Sequence, residues 1–379
     1  ALLQVHSVIG LALSLVLAVV GISGAMMSFE DEIQASLNAG ITRVEARSAP
    51  MLTPDRLIAR LQTNPDFGKV ASVAMASDRS AAVRIRFARS ENGSRPSSIY
   101  VDPYDARVLG SPRGEEFFIT VRKLHRWLLL PGDAKGYGRQ ITGVAAIGLI
   151  AMLISGIVLR WPHRGSVKMW LKPNLALRGR GFHRSLHAVT GTWVLPIFLM
   201  MVLTGLWYSF DWYKNGATWL LSRPSTAAPM KPKPAREVGS ADARPVALDR
   251  AWSTFLHEQG SRFATALLAL PDAGTVVRIR SWARDASHSG ARDEFRIDAI
   301  TGRLLSSEIY ADKPVGERVL SSVLDIPRGS IFGWPGKLLF MIAAALMPLF
   351  VVTGFLLYLS RRRHRRLARP ALGSLVPGE

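Results

Sequence analysis

The sequence predicts an integral membrane protein with four transmembrane helices and two extracytoplasmic α+β domains, arranged as an internal duplication. Three observations support this prediction: four long apolar windows, a basic excess concentrated in two short segments, and a sequence phrase that occurs twice. The windows indicate the number of membrane crossings, the basic segments indicate their orientation, and the repeated phrase indicates the symmetry.

Four windows of the chain contain no Asp, Glu, Lys, Arg or His, and each holds at least 20 residues. A helix of about 20 apolar residues is long enough to cross the hydrocarbon core of a bilayer. The windows are Ser7–Phe29, Gln140–Leu159, Ala188–Phe210 and Leu338–Ser360. We predict transmembrane helices within residues 1–29, 123–161, 183–210 and 335–360, where the second segment begins with a helix outside the membrane. The first apolar run is too long for a signal peptide, and no A-x-A-like cleavage site follows it.

The net charge of +20 comes largely from two basic segments and therefore does not by itself indicate nucleic-acid binding. The segment from Arg160 to Arg184 holds seven Lys or Arg and no acidic residue, and Arg361 to Arg369 adds six Arg. The two long connections between spans carry nearly balanced charge. Cytoplasmic loops are the ones that carry an excess of Lys and Arg. We therefore expect the loop 162–182, the tail 361–379 and both termini in the cytoplasm, with the long connections on the far side.

The two long connections, 30–122 and 211–334, each read as a helix, several strands and a turn. The first helix follows Thr53 and has Pro54 in its first turn, and the second lies within "ALDRAWSTFLHEQG". Alternating apolar residues predict strands at Val70–Ala74, Ala82–Ala88, Ser98–Val101, Ala264–Leu270, Thr275–Trp282 and Glu294–Ile297. The turns are "VDPYDARVLG" and "IDAITGRLLS". A Pro-rich linker, "RPSTAAPMKPKPAREVGSADARP", precedes the second domain and is expected to be flexible.

The phrase that opens the chain returns in the third span. "VHSVIGLALSLVLAVVGISGAMMSFEDE" aligns without a gap on "LHAVTGTWVLPIFLMMVLTGLWYSFDWY", so that His6 falls on His187. The same alignment pairs Gly10 with Gly191, Gly24 with Gly205 and Phe29 with Phe210. The second and fourth spans align as well, with Gly156 on Gly354. Both copies enter the membrane in the same direction, so a pseudo-twofold axis along the membrane normal is expected.

The chain contains no cysteine. This excludes disulfides, iron–sulfur clusters and thioether-attached haem. Any metal chemistry must therefore rest on His, Met, Tyr or carboxylates. The sequence also offers no dinucleotide, flavin or P-loop signature, so an electron donor would have to be another molecule.

The turns "VDPYDARVLG" and "IDAITGRLL" resemble the end of a PepSY domain, whose typical pattern is D-P-x-T-G-x-V/L. A His at the start of a span, "LHRWLLLPGDAKGYGRQITG" and "SGIVLRWP" resemble the PepSY-associated transmembrane family over nearly the whole chain. Within that family the chain is similar to the FoxB-type group of ferrisiderophore reductases. The resemblance implies two PepSY-like domains, two haem b groups and a place in the bacterial inner membrane. It also implies reduction of a periplasmic ferric hydroxamate siderophore such as ferrioxamine, with release of Fe(II). The donor, a quinol or a reductase partner, stays open.

The repeat supplies a pair of histidines for a haem at the cytoplasmic end. Two His from different helices make a six-coordinate electron-transfer centre. His6 and His187 are therefore predicted to ligate one haem iron from its two faces; the alternative is that both lie in the headgroup region. His183 precedes His187 by one turn and shares its helix face. It is predicted to hydrogen-bond a propionate, relay protons or ligate another haem.

An outer haem is predicted at His125, which precedes the second span and has Ser321 as its repeat equivalent. The ligand on the opposite face stays open among Met26, Met27, a second His or an open position. Arg126 and Arg184 flank the candidate ligands and are predicted to pair with haem propionates through charge-assisted bonds. The other histidines are predicted to be solvated or at the surface: His163, His257, His288 and His364.

Two other classes of function stay open from the sequence. A non-redox PepSY sensor or peptidase regulator would be a colourless protein. An iron or siderophore permease is less favoured, because the four spans hold no Asp, Glu, Lys or Arg to line a polar pathway.

Overall fold

The computed structural model describes residues 1–64, 67–88, 98–161, 170–222, 247–260, 262–271 and 273–367. These residues form two compact units, which we call the bundle and the sheet domain. Of the described residues, those within 1–29, 117–217 and 326–367 form the bundle, and those within 30–116 and 218–325 form the sheet domain. The predicted Pro-rich linker, His163 and the end of the C-terminal tail lie outside the described residues.

In chain order the helices are α1 (Leu2–Met27), α2 (Glu30–Leu37), α3 (Ala39–Thr42), α4 (Pro54–Leu61), α5 (Glu115–Trp127), α6 (Tyr137–Arg160), α7 (Gly179–Ser209), α8 (Asp211–Leu221), α9 (Leu248–Gln259), α10 (Val315–Ser321), α11 (Gly333–Ala345) and α12 (Met347–Leu367). The strands are β1 (Val70–Ala76), β2 (Val83–Phe87), β3 (Ser98–Val101), β4 (Val108–Gly110), β5 (Phe263–Ala269), β6 (Val276–Ala283), β7 (Asp293–Asp298) and β8 (Leu304–Glu308). Short 3₁₀ turns lie at Asp133–Lys135, Tyr310–Asp312 and Ser330–Phe332.

Within the described part of the chain, four helical stretches are long and apolar enough to cross a membrane: α1, α6, α7 and the stretch Ser330–His364, which holds α11 and most of α12. This confirms the predicted four spans. The fourth span breaks at Leu346, two residues before Pro348. A proline removes a backbone donor and clashes with the preceding turn, which explains the break.

The four spans pack in a ring, because α1 contacts α6 and α12, and α7 contacts the same two helices. Their apolar side chains meet in a core that includes Leu17, Val194, Phe198 and Phe340. The ends of the spans that carry Leu2, Arg160, Gly179 and Arg361 lie together, and we call them the basic end of the bundle.

The strands from the two long connections pair into one antiparallel sheet of eight strands, in the order β4-β3-β2-β1-β5-β6-β7-β8. The two sets meet where β1 pairs with β5, for example Val73 with Leu268. Residues of α4 and α9 share one hydrophobic core with one face of this sheet, through Leu57 and Phe255 among others. The two predicted loop domains therefore share one sheet and one core.

Helices α4 and α9 begin side by side and cap each other. The Asp249 carboxylate accepts a hydrogen bond from the backbone N–H of Asp55 at 2.9 Å and from the Thr53 hydroxyl at 2.6 Å. The Asp55 carboxylate accepts from the backbone N–H groups of Leu248 at 3.0 Å and Asp249 at 2.9 Å. The first N–H groups of a helix lack partners within it, and carboxylates are favourable there. Each helix thus satisfies donors of the other, across the two connections.

Candidate functional site

Two histidines from different spans come together near the basic end of the bundle. His6 lies on α1 and His187 on α7, and their ring centroids are 6.4 Å apart with an angle of 76° between the ring planes. Both side chains are half-buried between spans. The structure therefore brings together the two residues that the repeat pairs in the sequence.

Each imidazole is held by a hydroxyl on a neighbouring span. His6 Nδ1 lies 2.8 Å from Ser155 Oγ on α6, and His187 Nδ1 lies 2.8 Å from Thr353 Oγ1 on α12. Each hydroxyl is also 2.7 Å from a carbonyl oxygen of its own helix, that of Ala151 or Leu349. The two contacts therefore have the same form on both sides of the pair.

These contacts decide which ring nitrogen is available to a ligand. A hydroxyl has one hydrogen, and a carbonyl oxygen can only accept. Ser155 and Thr353 therefore donate to their carbonyls and accept from the imidazoles, which puts the imidazole proton on Nδ1. The lone pair of each neutral ring is then on Nε2. Metal-binding histidines commonly have their other nitrogen hydrogen-bonded in this way.

Glycines beside the two rings keep the approach of the helices close. A Cβ added at Gly156 would lie 3.7 Å from His6 Cε1, and one added at Gly354 would lie 3.8 Å from His187 Cε1. Phe350 packs edge-on against the His187 ring, with a centroid distance of 5.3 Å. Small residues thus allow Cε1 of each imidazole to lie close to the backbone of the neighbouring helix.

The donor set fits an iron that takes its remaining ligands from a macrocycle. A metal–imidazole bond is about 2 Å long, so two imidazoles on opposite sides of one metal have centroids roughly 6 Å apart. The observed 6.4 Å agrees with that spacing. Two histidines would fill only two coordination positions of a metal, so the others would have to come from a macrocycle such as haem. Among the described residues no group of three or more His, Cys, Asp or Glu could hold a metal ion.

His125 lies on α5 and packs against α1, towards the end of the bundle opposite to the basic end. Its Nδ1 is 3.0 Å from the Val20 carbonyl oxygen and 3.2 Å from Ser23 Oγ, and that hydroxyl is 2.6 Å from the Val19 carbonyl oxygen. A Cβ added at Gly24 would lie 3.1 Å from His125 Cε1. Because a carbonyl can only accept, Nδ1 of this ring also carries the proton and Nε2 has the lone pair. This environment repeats the hydroxyl and glycine found beside His6 and His187.

The other predicted site residues lie close in the sequence to His187 or to His125. His183 is half-buried one turn before His187, edge-on to Phe182 with centroids 5.6 Å apart, and Arg184 is exposed. The Arg126 guanidinium lies over the Tyr208 ring, 5.2 Å from its centroid. Their predicted roles towards propionates or protons stay predictions.

The ligand opposite His125 also stays a prediction. Of the two candidate methionines, Met27 is buried and Met26 is exposed.

The prediction that His288 lies at the surface is wrong. Its side chain is only 6% exposed and its Nδ1 lies 3.3 Å from Asp325 Oδ2. Its Nε2 lies 3.3 Å from both Tyr310 Oη and Ser322 Oγ. His288 lies in the loop between β6 and β7, and the segment after α10, with Ser322 and Asp325, covers its imidazole ring. His257, by contrast, is 89% exposed, as predicted, and His364 is exposed too.

Sequence reasoning missed the two hydroxyls that hold the histidine pair. Ser155 and Thr353 each stand directly before one of the paired glycines, in "ISGIV" and "VTGFL". The signal that could have identified Ser155 and Thr353 is a small polar residue directly before the aligned glycine in both the second and the fourth span.

The family model described as the PepSY-associated TM region matches residues 3–361, which is nearly the whole chain. No curated protein matches the chain.

Proposed function

The chain belongs to the PepSY-associated TM family, and on that premise we propose that it is a haem-containing oxidoreductase that reduces a ferric siderophore across a bacterial inner membrane. The observation that carries this proposal is the pairing of His6 and His187 at 6.4 Å, each with its Nδ1 held by a hydroxyl. The siderophore, and a hydroxamate such as ferrioxamine in particular, rests on the sequence resemblance to ferrisiderophore reductases.

When bound, haem supplies a one-electron carrier. His6 and His187 would hold it through Nε2 near the basic end, and His125 would hold a second haem b near the opposite end. Ser155 and Thr353 orient the first pair of rings, and Ser23 together with the Val20 carbonyl orients His125. The apolar side chains between the two places, such as Leu17 and Phe198, exclude water from the middle of the bundle.

We also propose that the chain arose by internal duplication. His6 and His187, Ser155 and Thr353, and Gly156 and Gly354 make equivalent contacts at equivalent alignment positions. The eight-stranded sheet has its two halves in mirror order about the β1–β5 pair, which suits two PepSY-like domains. The positive-inside rule puts the basic end and both termini in the cytoplasm and the sheet domain in the periplasm. Electrons would then travel outward, from a quinol or a reductase partner to the chelate.

The proposed reaction transfers one electron to iron and neither makes nor breaks a covalent bond. Ferric iron in the siderophore accepts the electron and becomes Fe(II), which the hard oxygen ligands of a siderophore hold far less tightly. The chain's task is therefore to hold a carrier of suitable potential and to give the chelate access to it.

The proposal is tested by mixing dithionite-reduced protein, freed of excess reductant under argon, with a ferric hydroxamate and an Fe(II)-specific dye. We expect the visible bands to return to the oxidised form while the dye reports an equivalent amount of Fe(II). His257→Ala serves as the control and should behave as the unaltered protein, because that side chain is exposed. Reduced bands that persist in excess ferric hydroxamate, and equally in excess ferric citrate, would contradict the reductase assignment. A colourless protein, expressed with ample haem, would favour the non-redox sensor instead.

A further inference from the structure

The face of the sheet that does not meet α4 and α9 carries arginines at matching positions of its two halves. In β2, Val83 and Ile85 belong to the buried core, so the alternating residues Arg84 and Arg86 project from the other face. The sequence "VRIR" of residues 83–86 in β2 occurs again at residues 277–280 in β6, where Val277 and Ile279 are buried in the same core. Arg278 and Arg280 therefore project from the same face as the arginines of β2.

Uncharged side chains, three of them small, lie between the arginines of β2 and those of β6. The pairing of strands gives one row across the sheet that reads Arg86, Ser72, Ala269, Arg278, and a second that reads Arg84, Ala74, Leu267, Arg280. Neighbouring strands are about 4.8 Å apart, so the arginine-bearing strands are separated by roughly 14 Å. The result is a trough with arginine walls on β2 and β6 and a floor on β1 and β5.

The walls carry more positive charge than their acidic neighbours neutralise. Glu115 lies 3.1 Å from Arg84 and 3.8 Å from Arg86, and Glu294 lies 3.1 Å from Arg280 and 3.7 Å from Arg296. Among the described residues of these rows, each of the two carboxylates is therefore shared between two guanidiniums, and Arg278 adds a fifth guanidinium. The further carboxylate, Glu308 on β8, lies 3.2 Å from Lys313.

Arg292, next to β7, adds to the same positive region. Burial lowers the pKa of its guanidinium, the charges of Arg280 and Arg278 lower it further, and the carboxylates of Glu294 and Asp325 oppose this shift. A guanidinium held among others of the same charge is stabilised by a bound anion.

We propose that this trough binds the ferric chelate that the protein reduces, and that the chelate is an anion bearing carboxylates. This inference rests on the proposed reductase function and narrows its substrate. Arginine presents a planar fork that matches a carboxylate through two parallel hydrogen bonds. Three of the four floor residues, Ser72, Ala74 and Ala269, are small and leave room for a compact ligand that both walls can reach. A flat lipid surface would meet only the arginines at the rims.

This assignment separates two kinds of chelate. The hydroxamates of a saturated complex just neutralise the ferric ion, and such a core offers the walls no net charge. A citrate-type complex keeps a negative charge after it has bound iron. The trough thus favours a carboxylate chelate over the hydroxamate that the resemblance suggests.

The test uses the full-length protein in nanodiscs of zwitterionic phosphatidylcholine and gallium(III) citrate as the probe. Gallium(III) resembles ferric iron in charge and ligand preference but is not reduced here, so binding is measured without electron transfer. Equilibrium dialysis should show that the Arg86→Gln/Arg278→Gln variant binds at least about tenfold more weakly. Arg56→Gln, an exposed arginine on α4, is the matched control and should bind as the unaltered protein. A neutral gallium hydroxamate should bind more weakly than the citrate complex.

Several outcomes would overturn the proposal. Equal citrate affinity in the double variant and the unaltered protein would do so, as would a hydroxamate that binds as tightly as citrate. Nanodiscs that contain phosphatidylglycerol would reveal a headgroup site if they suppress citrate binding through the same two arginines. Thermal melting checks that the double variant is folded. If it is not, the same binding measurement is made on the single variant Arg278→Gln, whose altered position is exposed. The haem content of the same samples is recorded separately, so failure of the trough is distinguishable from failure of the reductase function.

Discussion

Two hydroxyl groups set the chemistry of the histidine pair at the scale of single residues. Ser155 and Thr353 each accept from an imidazole Nδ1 and donate to a carbonyl of their own helix. This chain of hydrogen bonds fixes the ring orientation and keeps Nε2 unprotonated. Neither residue would itself touch a bound metal, so both are positioning residues.

Ser155→Ala or Thr353→Val should weaken haem retention at the His6/His187 site by about 10–100-fold without emptying it. The imidazole loses the acceptor that raises its basicity, so the reduction potential of that centre should shift as well. A spectroscopic redox titration measures both effects. Ser14→Ala is the matched control, since that hydroxyl bonds only its own helix at Leu11. An unchanged potential in both variants would contradict the positioning role.

A second residue-scale prediction concerns the buried Asp325. Its carboxylate accepts from the Gly290 N–H at 2.8 Å and the Ser289 hydroxyl at 2.8 Å, and it faces His288. Asp325→Ala removes an acceptor from the buried Gly290 N–H and from the Ser289 hydroxyl and takes away the carboxylate that faces the buried His288 side chain, so it should lower the free energy of unfolding of the sheet domain by about 3 kcal/mol. Thermal melting in detergent reports it, with the exposed Asp312→Ala as control. A loss no larger than that of the control would show that this cluster is not a stabilising one.

At the scale of elements, the crossed caps of α4 and α9 make stability depend on pH. Burial raises the pKa of Asp55 above its ordinary 3.8, the nearby Asp249 charge adds to the rise, and backbone hydrogen bonds oppose it. Between pH 3.8 and the higher folded-state pKa, the folded protein binds more protons than the unfolded chain. The contribution of this group is therefore fully present below pH 3.8 and falls as pH rises through the folded-state pKa.

Asp55→Asn removes the titrating group and should remove this pH dependence. The difference in melting temperature between the unaltered protein and the variant is expected to shrink as pH rises through that window and to be constant above it. A series of thermal melts at several pH values isolates the effect, because the other carboxylates are common to both proteins. Parallel curves across the whole range would show that Asp55 titrates normally.

Helix α5 carries His125, the proposed ligand of a second haem, and this residue gives an independent prediction. His125→Ala should remove one haem and leave the centre at His6 and His187 spectrally intact, because the two places are on different helices and at opposite ends of the bundle. A pyridine haemochrome assay counts the haem that remains, and His257→Ala is again the control. Retention of the full haem content would exclude His125 as a required ligand.

At the scale of the whole molecule, the bundle combines a symmetric site with an asymmetric one. His6 and His187 have matching surroundings, whereas the repeat position of His125 is occupied by Ser321. Gly24 lies against the His125 ring, but a Cβ added at its repeat equivalent, Gly205, would meet no atom within 4 Å. Under the proposed function, this difference suits an end near His125 that admits a substrate and an opposite end that only holds an electron carrier.

Several parts of this arrangement follow from the sequence. The four spans do, because each apolar window is long enough to cross a bilayer. So does the His6/His187 pairing, because the repeat places both residues at the same position of equivalent spans. The strand patterns likewise give most of the sheet. Its closure into one sheet does not follow, since the alternation in β1 and β5 is the same whether each is an edge or a centre. Likewise, nothing in the local sequence around His288 shows that a distant segment, with Asp325, covers it.

The central claim, that His6 and His187 hold one haem between them, is tested most directly by counting haem b per chain in the single and double variants. We predict two haems in the unaltered protein and about one in His6→Ala, in His187→Ala and in the double variant alike, because residues that act as a unit are not additive. His257→Ala should keep both. Loss of a different haem in each single variant, with both lost in the double, or full retention in all of them, would contradict the claim.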